Sequence, residues 1–368
     1  MKVLEVVKGL RKTSGVATFV RELSDALYDD GMDVAIGMCH PDTDNWMPPK
    51  GKEPVTALDD ALKSEWDVIH LHGLWDREIR IAAKAAVAKG IPLVWSPHGM
   101  LSPWALHYRW WKKCLPWHLY VNRQLHHAAA FHATSAAEAK WVKDAGFDNA
   151  IAIVPLGTLL PDLPPAVTNR TASRMRRLLF VGRIHPVKGL ENLVRAWALC
   201  NTQGWELRIV GPDTNGYGNR LREVAAELGC TGTVVFTGPK LGDELNREYL
   251  DCDCLVLPSF SENFGGVIID AMAAGKPVIA SKATPWSVLE EGCEVLSSSC
   301  ASKGLERCGW WVENDPASLS TALSTMMALS DAERKSIGAN GRMLVARKYT
   351  WPAVAEQMAE VYNRLIKS

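Results

Sequence analysis

Short apolar runs that end on a glycine or proline corner, each followed by apolar residues at helical spacing, recur along this chain, and that recurrence restricts the fold more than any single residue. Val3–Val7 reads as a strand, and Val16, Phe19, Val20, Leu23 and Leu27 follow at helical spacing. Val34–Cys39 and Trp66–His72 read as further strands with a helix-like stretch at 59–63 between them. A helix over 79–89 and a strand at Ile91–Ser96 come next, and Pro97-His98-Gly99 makes a corner. Ala130–Thr134 is another short strand, Ser135-Ala136-Ala137-Glu138 opens a helix with a capping box, and 150–154 returns as a strand. Strands of this kind separated by helices form a parallel, doubly wound sheet. Its ligands gather beyond the carboxyl ends of the strands, where the Gly15 turn and the His72-Gly73 and His98-Gly99 corners fall.

The pattern stops over 159–174, where Pro161, Pro164 and Pro165 stand among Asn, Thr and Ser, and resumes with a strand at Arg177–Val181. With 368 residues, each half is long enough for its own core. The expected organisation is a first Rossmann-like domain over 1–160, a linker at 161–174 and a second domain over 175–350. In the second half, Glu206–Gly211, Val234–Gly238, Leu255–Leu257 and Pro277–Ala280 read as strands. Helices are expected at 190–199, 221–228, 317–329, 331–348 and 351–366. Lys+Arg and Asp+Glu both number 41, so no global field argues for nucleic acid. The start lacks the apolar core of a secretory signal and no run suits a bilayer span, so a cytoplasmic location is expected. Nine cysteines without a paired CxxC read as buried thiols; a site at Cys293, Cys300 and Cys308 lacks a histidine at ligand spacing.

The densest chemistry lies in Ser259–Ala280. Glu262 precedes Asn263-Phe264-Gly265-Gly266, and Ile268, Ala271, Met272 and Ala274 then share one face of a short helix ended by Gly275. A glycine turn feeding a helix leaves backbone N–H groups free at a positive dipole end, which suits phosphate, while an adjacent acid can take sugar hydroxyls. The plainer alternative is an ordinary α/β crossover with Glu262 and Asp270 on a solvated face. Upstream, Gly182-Arg183-Ile184-His185-Pro186-Val187-Lys188-Gly189 places a guanidinium and an ammonium around one strand-end turn, able to meet one diphosphate. The Gly211–Gly218 turn does not fit a dinucleotide fingerprint. Asp251-Cys252-Asp253 has an Asp-x-Asp pattern, but it abuts an apolar strand and reads as a helix end, so no metal site is assigned.

Glu262, seven residues, then Asp270 and Ala-Met-Ala-Ala-Gly-Lys-Pro-Val-Ile resemble the nucleotide-sugar signature of glycosyltransferase family 4, with Asp where Glu is usual. The Gly-Arg, four residues, Lys-Gly element and the two His-Gly corners resemble the same family. The resemblance implies a GT-B fold: two Rossmann-like doubly wound domains facing across a cleft, with the helix over 351–368 packing back on the first. It implies a retaining, metal-independent transferase that moves a sugar from a nucleotide-sugar, a substrate and not a cofactor, to an acceptor hydroxyl. By that resemblance Gly15, Gly182, Arg183, Lys188, Gly238, Glu262, Asn263, Phe264, Gly265 and Asp270 bind the donor. Glu262 holds sugar hydroxyls, Asp270 the ribose, and the strand end at Gly238 the base. Arg183 and Lys188 stabilise the leaving diphosphate, and His98 orients sugar or acceptor. Exopolysaccharide or cell-envelope glycan assembly is the expected setting. A nucleotide-sugar epimerase of related fold and a noncatalytic sugar or nucleic-acid binding protein are the alternatives.

Between Ile79 and Ala137 the chain has no Asp or Glu, but seven Arg or Lys and six His. Within it Trp104, Tyr108, Trp110, Trp111, Trp117 and Tyr120 interleave with Arg109, Lys112 and Lys113, a mixture suited to an anionic lipid interface at the inner membrane face. Single-stranded nucleic acid uses the same chemistry, and an aromatic core with a solvated basic face is the third reading. The expectation is that His72, Trp104, Arg109, Trp110, Trp111, Lys112 and Lys113 serve a lipid-linked or oligosaccharide acceptor or the membrane, with no nucleic-acid partner.

Overall fold

The computed structural model describes residues 1–10, 14–38, 55–163, 175–291 and 307–367. Most of the expected linker and nearly all of the expected insertion at 293–308 lie outside the described residues, as do Cys39, Cys293 and Cys300. The chain forms two compact units, Met1–Gly157 with Tyr349–Ser368, and Thr158–Lys348.

Strands β1 (Lys2–Val6), β2 (Asp33–Met38), β3 (Val55–Ala57), β4 (Val68–His72), β5 (Leu93–Ser96), β6 (Ala130–Ala133) and β7 (Ala150–Ile153) build the first sheet. It is parallel throughout, in the order β3-β2-β1-β4-β5-β6-β7. Its helices are α1 (Gly15–Asp29), α2 (Leu58–Ala61), α3 (Arg77–Lys89), α4 (Pro103–His107), α5 (Trp110–Pro116), a π turn at Trp117–Val121, α6 (Asn122–Leu125) and α7 (Ala136–Asp144). Strand β3 and the helices between 103 and 125 carry no clear periodicity in the sequence and were not expected. Ser14 caps α1 by accepting the Ala17 N–H, and Ser135 caps α7 by accepting the Glu138 N–H.

The second sheet takes β8 (Arg176–Val181), β9 (Trp205–Val210), β10 (Val234–Gly238), β11 (Cys254–Leu257), β12 (Val278–Ser281) and β13 (Gly309–Val312), in the parallel order β10-β9-β8-β11-β12-β13. Its helices are α8 (Leu190–Ala198), α9 (Tyr217–Glu227), α10 (Asp243–Asp251), α11 (Gly266–Ala273), α12 (Val288–Glu291), α13 (Pro316–Ala328) and α14 (Asp331–Lys348). The last helix, α15 (Trp351–Lys367), belongs to the first unit and packs against α1. Trp351 lies so close to Gly157 that a Cβ there would overlap the indole. Helix α10 ends at Asp251, and Asp253 accepts the Arg177 N–H at 2.9 Å, so this acid is engaged with the backbone.

Strand alternation decides what the first sheet presents on each face. Val3, Val68 and Val94 enter the core beneath α1 and α15, while Leu4, Val6, Ile69, Leu71, Leu93 and Trp95 enter the opposite core beneath α3 and α7. Both sets are buried, each large side chain contributing ~1.5–3 kcal/mol. The same alternation sends Glu5, His70, His72, Ser96 and His132 to the face of Val3, Val68 and Val94. All five are buried as well. An unpaired buried carboxylate costs several kcal/mol, so that face is stable only if Glu5 is fully partnered.

Candidate functional site

The partners are present. Glu5 lies opposite His70 in the β1/β4 register. Its Oε1 accepts from the Tyr362 hydroxyl of α15 at 2.9 Å, and its Oε2 meets His72 Nε2 at 2.5 Å and His70 Nδ1 at 3.2 Å. Burial alone would raise the Glu5 carboxyl, but His70 and His72 hold it well below the ordinary carboxylate range. His70 Nε2 meets Ser96 Oγ at 2.7 Å, Ser96 Oγ meets His132 Nδ1 at 2.7 Å, and His132 Nε2 donates to the Val154 carbonyl at 2.8 Å. Desolvation, then the neighbouring His70, lowers His72 from 6.5 to about 4. Burial, then His70, lowers His132 to about 3.

His98, expected from the sequence to sit at a ligand-facing corner, is joined to this network. Its Nε2 lies 2.9 Å from His72 Nδ1, and the two rings stack with centroids 5.2 Å apart. The residue is half-buried and adopts φ 50°, a left-handed conformation that is strained for a side chain with a Cβ and that clusters at functional sites. Glu138 of α7 supports that turn: its Oε1 accepts the Gly99 N–H at 2.6 Å and its Oε2 accepts the Thr134 N–H and hydroxyl, both at 2.8 Å. Phe19 of α1 stands edge-on to His98 at 5.3 Å. A Cβ on Gly15, the first residue of α1, would meet nothing within 4 Å, so the start of α1 is open.

In the second unit the structure brings two of the sequence motifs together. Lys188 Nζ, at the end of a 3-10 turn at Pro186–Lys188, lies 2.6 Å from Glu262 Oε2 in the loop after β11, and both side chains are mostly buried. Ser259 Oγ donates to the same carboxylate oxygen at 3.0 Å, and Ser281 Oγ fixes the Ser259 carbonyl at 2.6 Å. The two loops interlock through the Phe260 N–H on the Val187 carbonyl, 2.8 Å. Gly189 makes this approach feasible. It holds φ 67°, and a Cβ on it would land on the Pro258 carbonyl oxygen. Gly182 likewise approaches Gly211 too closely for a side chain on the latter.

Arg183 is exposed and His185 is half-buried; burial first, then the nearby Arg183 and Lys188, hold His185 below its ordinary value. Gly265, at φ 82°, caps α11 without a side-chain bond, so the backbone N–H groups of the first turn face forward beside Asn263 and Phe264. Phe264 packs edge-on against Trp286 at 5.1 Å. Asp270, in the middle of α11, accepts from Thr158 Oγ1 at 2.7 Å and from the more distant Tyr249 hydroxyl at 3.5 Å; burial, opposed by those two bonds, pushes its carboxyl up to about 6. Among the described residues its hydrogen bonds are to Thr158 and Tyr249, and not to Glu262. Gly238 closes β10 at φ 76°.

The aromatic, basic segment forms α4, α5 and the π turn; Trp117 and Tyr120 pack against the core beneath α3 and α7, and its other aromatic residues face outward. Trp110 and Trp111 are 62% and 63% exposed, Leu115 and Leu119 66% and 64%, and Trp104 and Tyr108 more than 40%. Arg109, itself at φ 52°, lies over the Tyr108 ring, and Lys112 over Trp111. Lys113 differs from its neighbours: it turns inward, donating to the Tyr108 carbonyl at 2.9 Å and to that of Ala105, beside Trp75. Burial lowers its pKa.

Sequence reasoning missed Glu5, His70, Ser96, His132 and Tyr362. The signal was present: buried parallel strands read as continuous apolar runs, and each of these strands is interrupted on the same face. Tyr362 carried no such mark.

Comparison with known proteins places both halves. A family model described as Glycosyltransferase Family 4 matches residues 13–158, and one described as Glycosyl transferases group 1 matches residues 175–328. Among curated proteins, a D-inositol 3-phosphate glycosyltransferase of Stackebrandtia nassauensis is 32% identical over 198 residues, 51% of this chain and 41% of the relative. One of Kineococcus radiotolerans is 33% identical over 237 residues, 59% of this chain and 52% of the relative. The chain thus spans about half the length of the curated relatives it matches. Among solved structures, a sucrose-phosphate synthase from Thermosynechococcus elongatus superposes with TM-score 0.76 at 21% identity, covering 100% of this chain and 99% of the other. The Anabaena protein HepE in complex with UDP and glucose gives TM-score 0.76 at 20% identity, covering 99% and 100%.

Proposed function

We propose that this chain, which belongs to glycosyltransferase family 4 and has the GT-B fold, transfers a sugar from a nucleotide-sugar donor to an acceptor hydroxyl with retention of configuration and without a metal. The observation that carries this is the Lys188–Glu262 pair, 2.6 Å apart at two adjoining strand ends, beside the uncapped start of α11. An ammonium and a row of backbone N–H groups suit a diphosphate whose charge grows as it leaves, and a fixed carboxylate suits the hydroxyls of the sugar being transferred. Glu262 does not need to be a nucleophile for this. In same-face transfer the departing phosphate oxygen can take the acceptor's proton, whereas a glycoside hydrolase needs a second carboxylate. Arg183, exposed on the same turn, is free of a buried partner's geometry and is assigned to the outer diphosphate oxygens.

The test is a thermal-shift panel with UDP, GDP, ADP and dTDP sugars, followed by product analysis. One donor should stabilise the protein, because a ligand that binds only the folded state raises its stability. Lys188→Ala should abolish that shift. No stabilisation by any donor would leave a noncatalytic binding protein, and isomerised donor without transfer would make the chain an epimerase; either outcome overturns the proposal.

The acceptor is proposed to be phosphate-bearing or lipid-linked, in exopolysaccharide or cell-envelope glycan assembly. Support comes from the acid-free segment 79–137 and its exposed Trp110, Trp111, Leu115 and Leu119. Among the described residues no helix is long and apolar enough to cross a membrane, so association would be at the surface, by indole insertion and by attraction of Arg109 and Lys112 to anionic headgroups. Flotation with vesicles of phosphatidylglycerol should carry the protein. It should fail when Trp110, Trp111 and Lys112 become alanine, and equal flotation of both would remove the membrane from the proposal.

A further inference from the structure

We propose that Glu5 and His72 are positioning residues for transfer: together they fix His98 in the tautomer that carries its proton on Nε2, leaving Nδ1 as a hydrogen-bond acceptor for a sugar or acceptor hydroxyl. The proposal rests on the glycosyltransferase reading above, but its first test does not.

Protons along three side chains can be placed one after another. A carboxylate can only accept, so the 2.5 Å contact between Glu5 Oε2 and His72 Nε2 requires a proton on Nε2. Glu5 is held as a carboxylate here by two imidazoles and a tyrosine hydroxyl. A buried histidine beside a second imidazole stays neutral, which burial enforces for His72. Its single proton is then on Nε2 and its Nδ1 is bare. The 2.9 Å contact from Nδ1 to His98 Nε2 therefore needs a proton on His98 Nε2. Burial likewise keeps His98 neutral, so its Nδ1 carries none. Among the described residues His98 Nδ1 makes no hydrogen bond, and the ring is half-buried where its neighbours in the network are fully buried. Orientation is settled by the same contacts. Stacking on His72, the edge of Phe19 and the Glu138 clasp on Gly99 leave the ring little rotational freedom at a backbone conformation that is already strained.

One rival arrangement makes the opposite prediction. Glu5, His70 and His72 offer ligand atoms all within 4.8 Å of one another, a grouping that could hold a metal ion. A metal on His72 Nε2 would move that ring's proton to Nδ1, which would then donate to His98 Nε2 and place the His98 proton on Nδ1. In both states His98 Nδ1 meets the ligand; it accepts a hydrogen bond in the first and donates one in the second.

Nitrogen-15 spectra of histidine-labelled wild-type protein at pH 7.5 distinguish them, with His98 assigned by comparison with His98→Gln. A bare Nδ1 and a protonated Nε2 on His98 are expected, with no metal in the purified protein by elemental analysis. A protonated Nδ1, with or without bound metal, overturns the proposal even if the enzyme transfers sugar. Donor-dependent transfer is then measured in His72→Phe and His72→Asn. Removing the acceptor should mix the His98 tautomers and lower kcat about 10-fold or more, with little change in KM for the donor, and Asn, whose side-chain oxygen stands near the place of Nδ1, should recover part of the rate. A folded His72→Phe variant with wild-type kcat also overturns it. If that variant does not fold, the wild-type spectra decide alone.

Discussion

Acidification between pH 7 and 5 should loosen the first unit through two buried histidines. In the folded protein His72 titrates at about 4 and His132 at about 3, against an ordinary 6.5. Below 6.5 the unfolded chain binds protons that the folded chain refuses, so stability is fully present at neutral pH and falls as pH drops toward those lower values. The gap of about 2.5 pH units for His72 is worth about 3 kcal/mol and that of about 3.5 for His132 about 5 kcal/mol, at 1.36 kcal/mol per pH unit. Their sum, about 8 kcal/mol, rivals the ~5–15 kcal/mol that hold a domain together. Near pH 5.5 the two should contribute a slope of about 2–3 kcal/mol per pH unit. Hydrogen exchange read by mass spectrometry on peptides from β1, β4, β5 and β6, corrected for intrinsic rates, measures the opening free energy directly. Asn in place of His132 should lower the slope by about 1 kcal/mol per pH unit. Opening free energies that stay level, or rise, from pH 7 to 5 would refute the reasoning.

Other consequences follow from the second unit. Gly189→Ala should destabilise it by well over the ~1–2 kcal/mol of a left-handed residue, because its Cβ meets the Pro258 carbonyl, and should weaken donor binding. Gly216→Ala, at a similar φ with open space around it, should cost only about that amount by urea unfolding. Asp270 is raised to about 6, so its ionised form weakens the fold above that pH. Asp270→Asn should stabilise the second unit at pH 7.5 by up to about 3 kcal/mol and by less at pH 5, while lowering donor affinity in calorimetry. Glu262→Gln should reduce kcat by roughly 100-fold or more, whereas Asp270→Glu should keep or raise donor affinity; equal, negligible effects from both would remove this loop from catalysis.

The order of strands and helices was legible because buried parallel strands are short, apolar and separated by amphipathic helices. The pairing of Lys188 with Glu262, 74 residues apart, was legible as two motifs and not as a contact. Sequence gave Arg183 and Lys188 the same weight. The structure separates them, since the 3-10 turn ending at Gly189 carries only Lys188 onto the acid. His72 and His98 were read as two independent corners, and their direct contact depends on neighbouring strands in register, His72 beside Ser96. Glu5 passed as part of an apolar run. Its meaning lies in Tyr362, 357 residues away, which no local pattern reports. The helices at 103–125 escaped notice for another reason: Pro116 and the π turn break the spacing that would have announced them.

The Tyr362 hydroxyl on Glu5 also dictates an order of assembly. Residues 351–367 are synthesised after the whole of the second unit, yet with α1 they cover one face of the first sheet, and they bring one of the proton donors to its buried carboxylate. While the chain is being made, the first unit must wait with β1 and the α1 face incomplete, although amino-terminal domains ordinarily fold first during synthesis. The second unit, contiguous in the chain, can close before it. Nascent chains stalled just before Trp351 should therefore expose the first sheet to protease and chaperone while the second is already protected.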